Sequence, residues 1–270
     1  MKIKNVKLIY FSPTGTTRTV LEGIAKGIAV DDVEHINLTL PETDLRPVSL
    51  FSNELAIIGA PVYGGRLPVD AIARLKRLNA GSTPAVLVVL YGNREFEDTL
   101  LELKNLTLEL GFNPFAAAAF IGEHSFASED IPIANGRPDS LDVQKAVDFG
   151  GKIKAEVRAL PSPEAQMDLE VPGSFPYEAA GARSMAVSPV TKEDTCTACG
   201  TCAEVCPTAA ISVGEAVTTE IGNCIRCCAC IKSCPEGARA MPEGMWKDIA
   251  NWLNKNCSVR KEPQMFGIDM

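Results

Sequence analysis

The chain has 270 residues, of which 46% are apolar and 22% are charged, and its formal net charge at pH 7 is −8. This length favours two domains, and the apolar fraction is sufficient for a globular core. No segment is basic enough to suggest nucleic-acid binding. The longest apolar runs, 85–91 and 115–121, fall well short of the roughly 18 residues of a membrane span. We therefore expect a cytoplasmic protein without a membrane span.

The first 160 residues alternate between apolar runs and helical patterns. Apolar runs predict five strands, at residues 5–11, 33–38, 55–60, 85–91 and 115–121. Apolar residues at helical spacing occur at 20–28, 72–78, 100–110 and 143–157, the last weakened by two glycines. The strands lack polar alternation, which is typical of a parallel sheet covered on both faces. We predict an α/β fold with a doubly wound five-stranded parallel sheet over residues 1–160.

Ligands of doubly wound folds bind beside the carboxyl ends of the strands, and three loops at these ends are distinctive. The loop after the first strand offers hydroxyl and backbone N–H groups at a helix start, which suits a phosphate monoester. The loops after the third and fourth strands each contain a tyrosine, which suits the faces of a flat ring. The candidate binding residues are Ser12, Thr14, Gly15, Thr16, Thr17, Pro61, Val62, Tyr63, Gly64, Gly65, Tyr91, Gly92, Asn93, Arg94 and Phe96.

Other interpretations of the loop at 12–17 remain open. It lacks the Gly-x4-Gly-Lys pattern of nucleoside triphosphate binding. The spacing of Ser12 and Arg18 is that of a tyrosine phosphatase loop, but that chemistry requires a cysteine in place of Ser12. A hydroxyl-rich loop can also simply cap a helix. Arg66, Arg94 and His124 are further candidates for contacts with a ligand or a docking partner.

These three loops resemble those of flavodoxins. Ser12, Thr14, Gly15 and Thr17 match the flavodoxin phosphate loop. Tyr63 and Tyr91 stand where flavodoxins keep the aromatic residues that flank the flavin. The resemblance implies that residues 1–160 bind flavin mononucleotide (FMN).

Residues 161–186 are rich in proline and glycine, which predicts an interdomain linker. Met167, Leu169 and Val171 alternate with polar residues. Apolar side chains of this kind argue against a floppy tether. We expect an extended segment that lies along the surface of a domain.

A cysteine motif follows and is repeated with a period of 28 residues. It reads Cys196-x2-Cys199-x2-Cys202-x3-Cys206-Pro207, then Cys224-x2-Cys227-x2-Cys230-x3-Cys234-Pro235. This motif resembles that of bacterial two-cluster ferredoxins, in which the fourth cysteine of each run binds the other cluster. The resemblance covers 187–242 and implies a small α+β domain with two 4Fe–4S clusters. One cluster takes Cys196, Cys199, Cys202 and Cys234, and the other takes Cys224, Cys227, Cys230 and Cys206.

Zinc is the alternative metal for paired cysteines. Zinc sites use two CxxC pairs or cysteines with histidines, whereas each half here has four cysteines and no histidine. Cys228 and Cys257 fall outside the ligand pattern. We interpret Cys228 as a small buried residue or a spectator thiol, and Cys257 as structural. The clusters suggest a reducing, anaerobic setting.

The last segment, 243–270, contains one amphipathic helical pattern formed by Trp246, Ile249, Ala250 and Leu253. It suits core packing or a partner-binding helix.

A flavodoxin–ferredoxin fusion implies electron transfer between the clusters, FMN and redox partner proteins. An enzyme that reduces a small molecule such as a quinone, a disulfide or a metal species is the alternative. We find no nicotinamide fingerprint and identify no catalytic residue. A cluster-based sensor would need a signalling or nucleic-acid module, which we do not find. A homodimer is possible, and we slightly favour a path completed by a second subunit, with Trp246 and Trp252 at the interface.

Overall fold

A computed structural model describes residues 5–41, 48–50, 53–159, 162, 168–179 and 187–268. The helices and strands in chain order are β1 (Asn5–Tyr10), α1 (Thr16–Ile28), β2 (Asp32–Asn37), β3 (Val48–Leu50), β4 (Glu54–Pro61), α2 (Val69–Leu75), β5 (Leu78–Ala80), β6 (Pro84–Tyr91), α3 (Thr99–Glu109), β7 (Asn113–Ile121), α4 (Ser140–Ala159), β8 (Val190–Thr191), α5 (Thr201–Glu204), β9 (Ile211–Val213), β10 (Val217–Thr219), a 3₁₀ turn (Ile221–Asn223), α6 (Ala229–Lys232), β11 (Arg239–Ala240), α7 (Met245–Asn256) and β12 (Gln264–Phe266).

The main sheet has the order β12-β7-β6-β4-β1-β2 within the described residues. The five predicted strands form its parallel part, in which β1 lies between β2 and β4 and the chain then continues outward through β6 and β7. This is the doubly wound order of flavodoxin-like folds, so the predicted fold class is confirmed. The sixth strand, β12, comes from the carboxyl terminus and pairs antiparallel with β7.

Helices cover both faces of the sheet. Helices α1 and α4 bury their apolar side chains on one face, and α2 and α3 bury theirs on the other. Two glycines allow α1 and α4 to touch. A Cβ on Gly27 would lie 1.9 Å from the carbonyl oxygen of Val147, and one on Gly150 would lie 2.1 Å from that of Ile24. Gly150, which weakens the helical pattern in the sequence, is thus used for close backbone packing.

The helical pattern predicted at 72–78 is wrong at its end. Helix α2 stops at Leu75, and Leu78 begins β5. Strand β5 pairs in parallel with β3 to form a separate two-stranded sheet. Leu78 is buried through this pairing rather than on a helix face, and a single apolar residue cannot distinguish the two arrangements.

The described part of the linker, 168–179, packs against α3 and its preceding loop. Leu169 is buried in the sheet core. The Asp98 carboxylate accepts hydrogen bonds from the backbone N–H groups of Ser174 (2.8 Å) and Ala179 (2.7 Å). Met167 lies outside the described residues. This part of the linker therefore runs along the first domain.

The cysteine-rich region forms a small α+β unit. Strands β9 and β10 form one antiparallel pair, and β8 and β11 form another. Helix α7 then leads to β12, which joins the sheet of the first domain. In the part of the chain that the structure describes, no helix has both the length and the apolar character needed to cross a membrane.

Candidate functional site

The structure groups the eight motif cysteines around two cavities. Cys196, Cys199, Cys202 and Cys234, here called the outer quartet, line one cavity. Cys206, Cys224, Cys227 and Cys230, the inner quartet, line the other. The crossed grouping is that implied by the ferredoxin resemblance. Among the described residues, no three His, Cys, Asp or Glu side chains converge tightly enough to hold a single metal ion.

The four thiols of each quartet suit a cubane cluster. A cubane takes four thiolates, each bound to a different iron, so its ligands surround a volume instead of meeting at one point. The chemistry of the donors is also right, because every proposed ligand is a free thiol. Burial raises the pKa of Cys227 to about 12 in the absence of metal, and a bound metal deprotonates such a thiol.

The outer quartet is near solvent and the inner quartet is covered. In the outer quartet Cys199 is exposed and only Cys202 is buried, whereas in the inner quartet every thiol except the half-buried Cys224 is buried. Polar contacts hold the first domain against the inner side of the cysteine-rich domain. The Arg74 guanidinium on α2 donates to the carbonyl oxygen of Pro207 (2.6 Å), and Glu123 forms an ion pair with Lys232. The first domain thus covers the region of the inner quartet.

Cys228 also lines the cavity of the inner quartet, but its thiol has other partners. Its thiol lies 3.5 Å from the carbonyl oxygen of Arg226 and 3.7 Å from the Sδ atom of Met241. It is buried, as expected for a spectator thiol. Cys257 is partly buried at the end of α7, where its N–H donates to the Leu253 carbonyl.

A pocket of about 530 Å³ lies between the two domains. Its walls come from the three loops singled out in the sequence, the loop after β7, the inner quartet's cysteine loop, and α7. The sequence candidates among its lining residues are Thr14, Thr16, Thr17, Pro61, Val62, Tyr63, Gly64, Gly65, Tyr91, Gly92 and Arg94. The residues that the sequence did not place here include Ile225, Arg226, Trp246, Ile249, Trp252 and Leu253.

The loop at the start of α1 has an unused buried hydroxyl group. Thr17 is 1% exposed, and its Oγ1 atom has no hydrogen-bond partner among the described residues. Gly15 has a φ of +83°, which turns the chain into the helix. Ser12 lies outside the pocket lining, and its Oγ accepts the N–H of Arg18 (3.1 Å). Ser12 and Gly15 therefore shape the loop, and Thr14, Thr16 and Thr17 face the pocket.

The tyrosines occupy two different positions in the pocket wall. Tyr91 is buried, its hydroxyl has no partner within the described residues, and burial raises its pKa to about 12. Phe96 packs behind it with ring centroids 5.4 Å apart. Burial also raises the pKa of Tyr63, and the nearby thiols of Cys227 and Cys228 raise it further. Tyr63 thus lies between the pocket and the inner quartet.

His124 is held as a neutral imidazole. Its Nδ1 accepts the backbone N–H of Phe126 at 3.0 Å, so the proton of the neutral ring is on Nε2. Burial lowers the pKa of His124 to about 4, with Lys232 and Arg94 as further causes. A Cβ on Gly92 would lie 2.2 Å from the His124 ring, so glycine is required for this contact. His124 lines the pocket as a donor at neutral pH.

Helix α7 closes the pocket from the side opposite the sheet. Trp246 is 2% exposed, and its ring centroid is 4.0 Å from that of Phe126. The Nε1 atom of Trp246 is buried without a hydrogen-bond partner among the described residues. Trp252 also lines the pocket but is 55% exposed. The amphipathic pattern predicted the helix, but nothing in it indicated which surface the helix would cover.

Asn93 and Phe96 lie behind the pocket wall. The Asn93 side chain donates to the carbonyl oxygens of Cys257 (2.6 Å) and Val259 (2.8 Å) and accepts the N–H of Lys261 (3.2 Å). It therefore fastens the chain after α7 to the first domain. Phe96 is buried in the sheet core. Arg66 pairs with the buried carboxylate of Glu102, away from the pocket lining.

Comparison with known proteins assigns the second domain. Residues 188–257 match the family described as 4Fe-4S dicluster domain. No curated protein matches this sequence.

Several solved structures resemble the first domain. A flavodoxin from the domain Archaea is 16% identical, with 57% of this chain and 99% of that chain covered and a TM-score of 0.38. The Fusobacterium nucleatum flavodoxin bound to flavin mononucleotide is 17% identical, with coverages of 57% and 99% and a TM-score of 0.40. The Flv1 flavodiiron core from Synechocystis sp. PCC6803 is 19% identical, with coverages of 58% and 36% and a TM-score of 0.40. The sheet order together with the match at 188–257 shows that the chain joins a domain of flavodoxin-like fold to a 4Fe–4S dicluster domain.

Proposed function

We propose that this protein transfers electrons between an external redox partner and an FMN molecule in the interdomain pocket, by way of two 4Fe–4S clusters in the same chain. One observation carries the proposal. Ile225 and Arg226, which separate the inner ligands Cys224 and Cys227, form part of the wall of the pocket. The binding loop of one cluster therefore contacts the space in which the flavin would lie.

The pocket suits FMN in size and chemistry. Its volume of about 530 Å³ falls within the usual range for ligand sites. The amino terminus of α1 and the unpartnered Thr17 hydroxyl fit a phosphate, because both offer donors to an anion. Apolar and aromatic walls, including Val62, Tyr91 and Trp246, fit a flat ring. When bound, the clusters exchange single electrons and FMN exchanges one or two.

The burial of the two quartets supports an order for the path. The outer quartet, with Cys199 exposed, is the side that an external partner protein can approach. The inner quartet faces the pocket through Ile225. Tyr63, which also lines the pocket, lies close to Cys227 of this quartet.

The path does not require a second subunit. Homodimers are the commonest oligomers, and Trp246 and Trp252 offered apolar area for an interface, which favoured a path completed by a second subunit. In the structure Trp246 is buried within the chain, and Ile225 and Arg226 bring the inner quartet's loop to the pocket of the same chain. We therefore propose an intramolecular path.

Reduction of a small molecule at the flavin is a second candidate function. The observation in its favour is α7, whose Trp246 and Leu253 are buried against the pocket. A protein partner cannot reach the ring through this wall, whereas a small molecule can enter beside the exposed Trp252. Turnover with quinones, disulfides or oxidised metal species would favour the enzyme, and electron delivery to a protein acceptor alone would favour the carrier.

Anaerobically purified protein tests the proposal. We expect about eight irons, eight sulfides and one FMN per chain. In stopped-flow experiments with reduced ferredoxin as donor, flavin reduction should follow cluster reduction at a rate that does not depend on protein concentration. Zinc in place of iron, a single cluster, or no FMN would contradict the cofactor assignment. A flavin reduction rate that rises with protein concentration would contradict the intramolecular path.

A further inference from the structure

A buried arginine lies between the two cysteine cavities. Arg239, in β11, is 3% exposed and lines the cavity of the outer quartet. Its Nη2 atom donates to the carbonyl oxygen of Pro189 (3.0 Å) and to Oγ1 of Thr219 (2.6 Å). Both Pro189 and Thr219 line the cavity of the inner quartet. Arg239 thus lines one cavity and bonds to the wall of the other.

The hydrogen bonds of Arg239 fix the plane of its guanidinium group. In addition to the two bonds from Nη2, Nη1 donates to Oγ1 of Thr191 at 2.6 Å. The Thr191 hydroxyl itself donates to the carbonyl oxygen of Val217 (2.9 Å), so its lone pairs are turned toward the arginine. Three of the five donors of the guanidinium group are used in this way.

The remaining donors and the charge need a partner. Nε of Arg239 is buried without a hydrogen-bond partner among the described residues, and no carboxylate within those residues forms an ion pair with Arg239. A buried and uncompensated cation is strongly unfavourable. Thiols of both quartets are close to this charge, because Arg239 lines the outer quartet's cavity together with Cys202 and is within hydrogen-bonding reach of Cys230 of the inner quartet.

We propose that Arg239 is a positive charge shared by the two clusters, and that it raises the reduction potential of both. Reduction adds a negative charge to a cluster, so a cation fixed nearby in a poorly polarisable interior stabilises the reduced form. Pro189, Thr191 and Thr219 act as positioning groups for this charge.

This role rests on the two clusters of the proposed function but not on the flavin. The experiment uses the intact holoprotein with the variants Arg239→Gln and Arg239→Lys. Iron and sulfide analysis first establishes that both clusters are present. Redox titration followed by electron paramagnetic resonance then measures both potentials.

We expect Arg239→Gln to shift both potentials in the negative direction. Arg239→Lys should recover most of the shift, because it keeps the charge but loses the planar donor group. The control variant is Arg260→Gln, which removes the same charge from a partly exposed residue that pairs with Asp139 (2.7 Å), away from both cavities. It should leave both potentials unchanged.

A double variant, Thr191→Val with Thr219→Val, keeps the charge of Arg239 but removes two of the groups that position it, and it can be measured even if Arg239→Gln fails to fold. It should shift both potentials in the negative direction from the wild-type values, because the guanidinium group is no longer held. The shift should be smaller than that of a folded Arg239→Gln protein, because the charge remains. Wild-type potentials in a fully loaded Arg239→Gln protein, or in the folded double variant, would overturn the inference. A shift confined to one cluster would also overturn it. If the wild-type protein holds fewer than two clusters, that result would instead contradict the proposed function.

Discussion

The two cysteine quartets have the same ligand spacing but differ in burial at two of their four ligands. Cys199 of the outer quartet is exposed, whereas Cys227, its counterpart one repeat later, is buried. The backbone repeats as well. Ala198 and Arg226 occupy equivalent positions with φ of 54° and 57°. Gly200 and Cys228 are also equivalent, with φ of 85° and 59°. The difference in exposure between the quartets therefore does not come from the backbone conformation of the two cysteine loops.

The difference comes from the side chains between the ligands and from what packs on them. Thr197 and Ala198 of the outer loop are exposed, and the equivalent Ile225 and Arg226 line the interdomain pocket. The two copies of a duplicated motif can thus differ in exposure when only one of them docks on a neighbouring domain. Cys228, which replaces Gly200 in the second copy, stays in the left-handed region despite its side chain, a cost that surrounding packing must offset.

The difference between the two quartets is tested most strongly by removing one ligand from each. Cys206→Ala and Cys234→Ala should each lose about half of the iron, from the inner and the outer cluster respectively. In Cys206→Ala the outer cluster should accept electrons from reduced ferredoxin while flavin reduction is abolished. Iron analysis, electron paramagnetic resonance and stopped-flow spectroscopy measure these effects. Flavin reduction at the wild-type rate in Cys206→Ala would show that the inner quartet is not on the path.

Helix α7 covers the pocket next to the inner quartet's loop. Trp246→Ala should lower the free energy of unfolding by about 3–5 kcal/mol, because a large buried side chain leaves a cavity, and should weaken FMN binding. Trp252→Ala is the matched control on the same helix. Since Trp252 is 55% exposed, its loss should change stability by no more than about 0.5 kcal/mol. Denaturant unfolding measures both variants, and equal effects would mean that α7 is not docked as described.

The proposed phosphate site in the pocket can be tested without disturbing either quartet. Thr14→Val with Thr17→Val should weaken FMN binding by about 1–3 kcal/mol for each hydroxyl, because a charged phosphate loses a donor. The control is Thr19→Val, whose exposed hydroxyl bonds to the Gly15 carbonyl (3.2 Å) outside the pocket. Fluorescence titration measures the affinities, and iron content should stay constant. If the double variant binds FMN with unchanged affinity, the loop at 12–17 acts only as a cap for helix α1.

Chelation kinetics compare the two quartets directly. Iron should leave the outer cluster several-fold faster than the inner cluster on treatment with a strong chelator or a mild oxidant, since exposure of Cys199 gives the reagent access. The measurement is the time course of each cluster's spectroscopic signal. Simultaneous loss would indicate that the first domain does not protect the inner quartet.

The smallest expected effect is the pH dependence contributed by His124. Its pKa is about 4 in the folded protein and about 6.5 when unfolded. The unfolded state therefore binds more protons between these values, so the free energy of unfolding falls as the pH drops from 6.5 toward 4. With allowance for partial exposure, wild-type protein should lose about 1 kcal/mol between pH 7 and pH 5 that His124→Asn does not lose. Parallel denaturation curves at the two pH values decide this point.

Features that depend on neighbours in sequence were predictable. Apolar runs predicted the five parallel strands, whose sheet order the structure confirms. Cysteine spacing indicated the dicluster domain that the family match supports. For the pocket, the hydroxyls of Thr14 and Thr17 could be proposed because they stand between a predicted strand and a predicted helix, at the sheet edge where ligands of doubly wound folds bind.

Features that depend on distant pairings were decided only by the tertiary structure. Strand β12 is three residues long and carries no pattern of its own, and it exists because β7 offers an open edge. Trp246 reaches the pocket because Asn93 holds the chain after α7, and Ile225 reaches it because the domains dock. Arg239 looks like a surface charge in the sequence. Local patterns record which side of an element is buried, but they do not record what covers it, because that depends on residues far away in the chain.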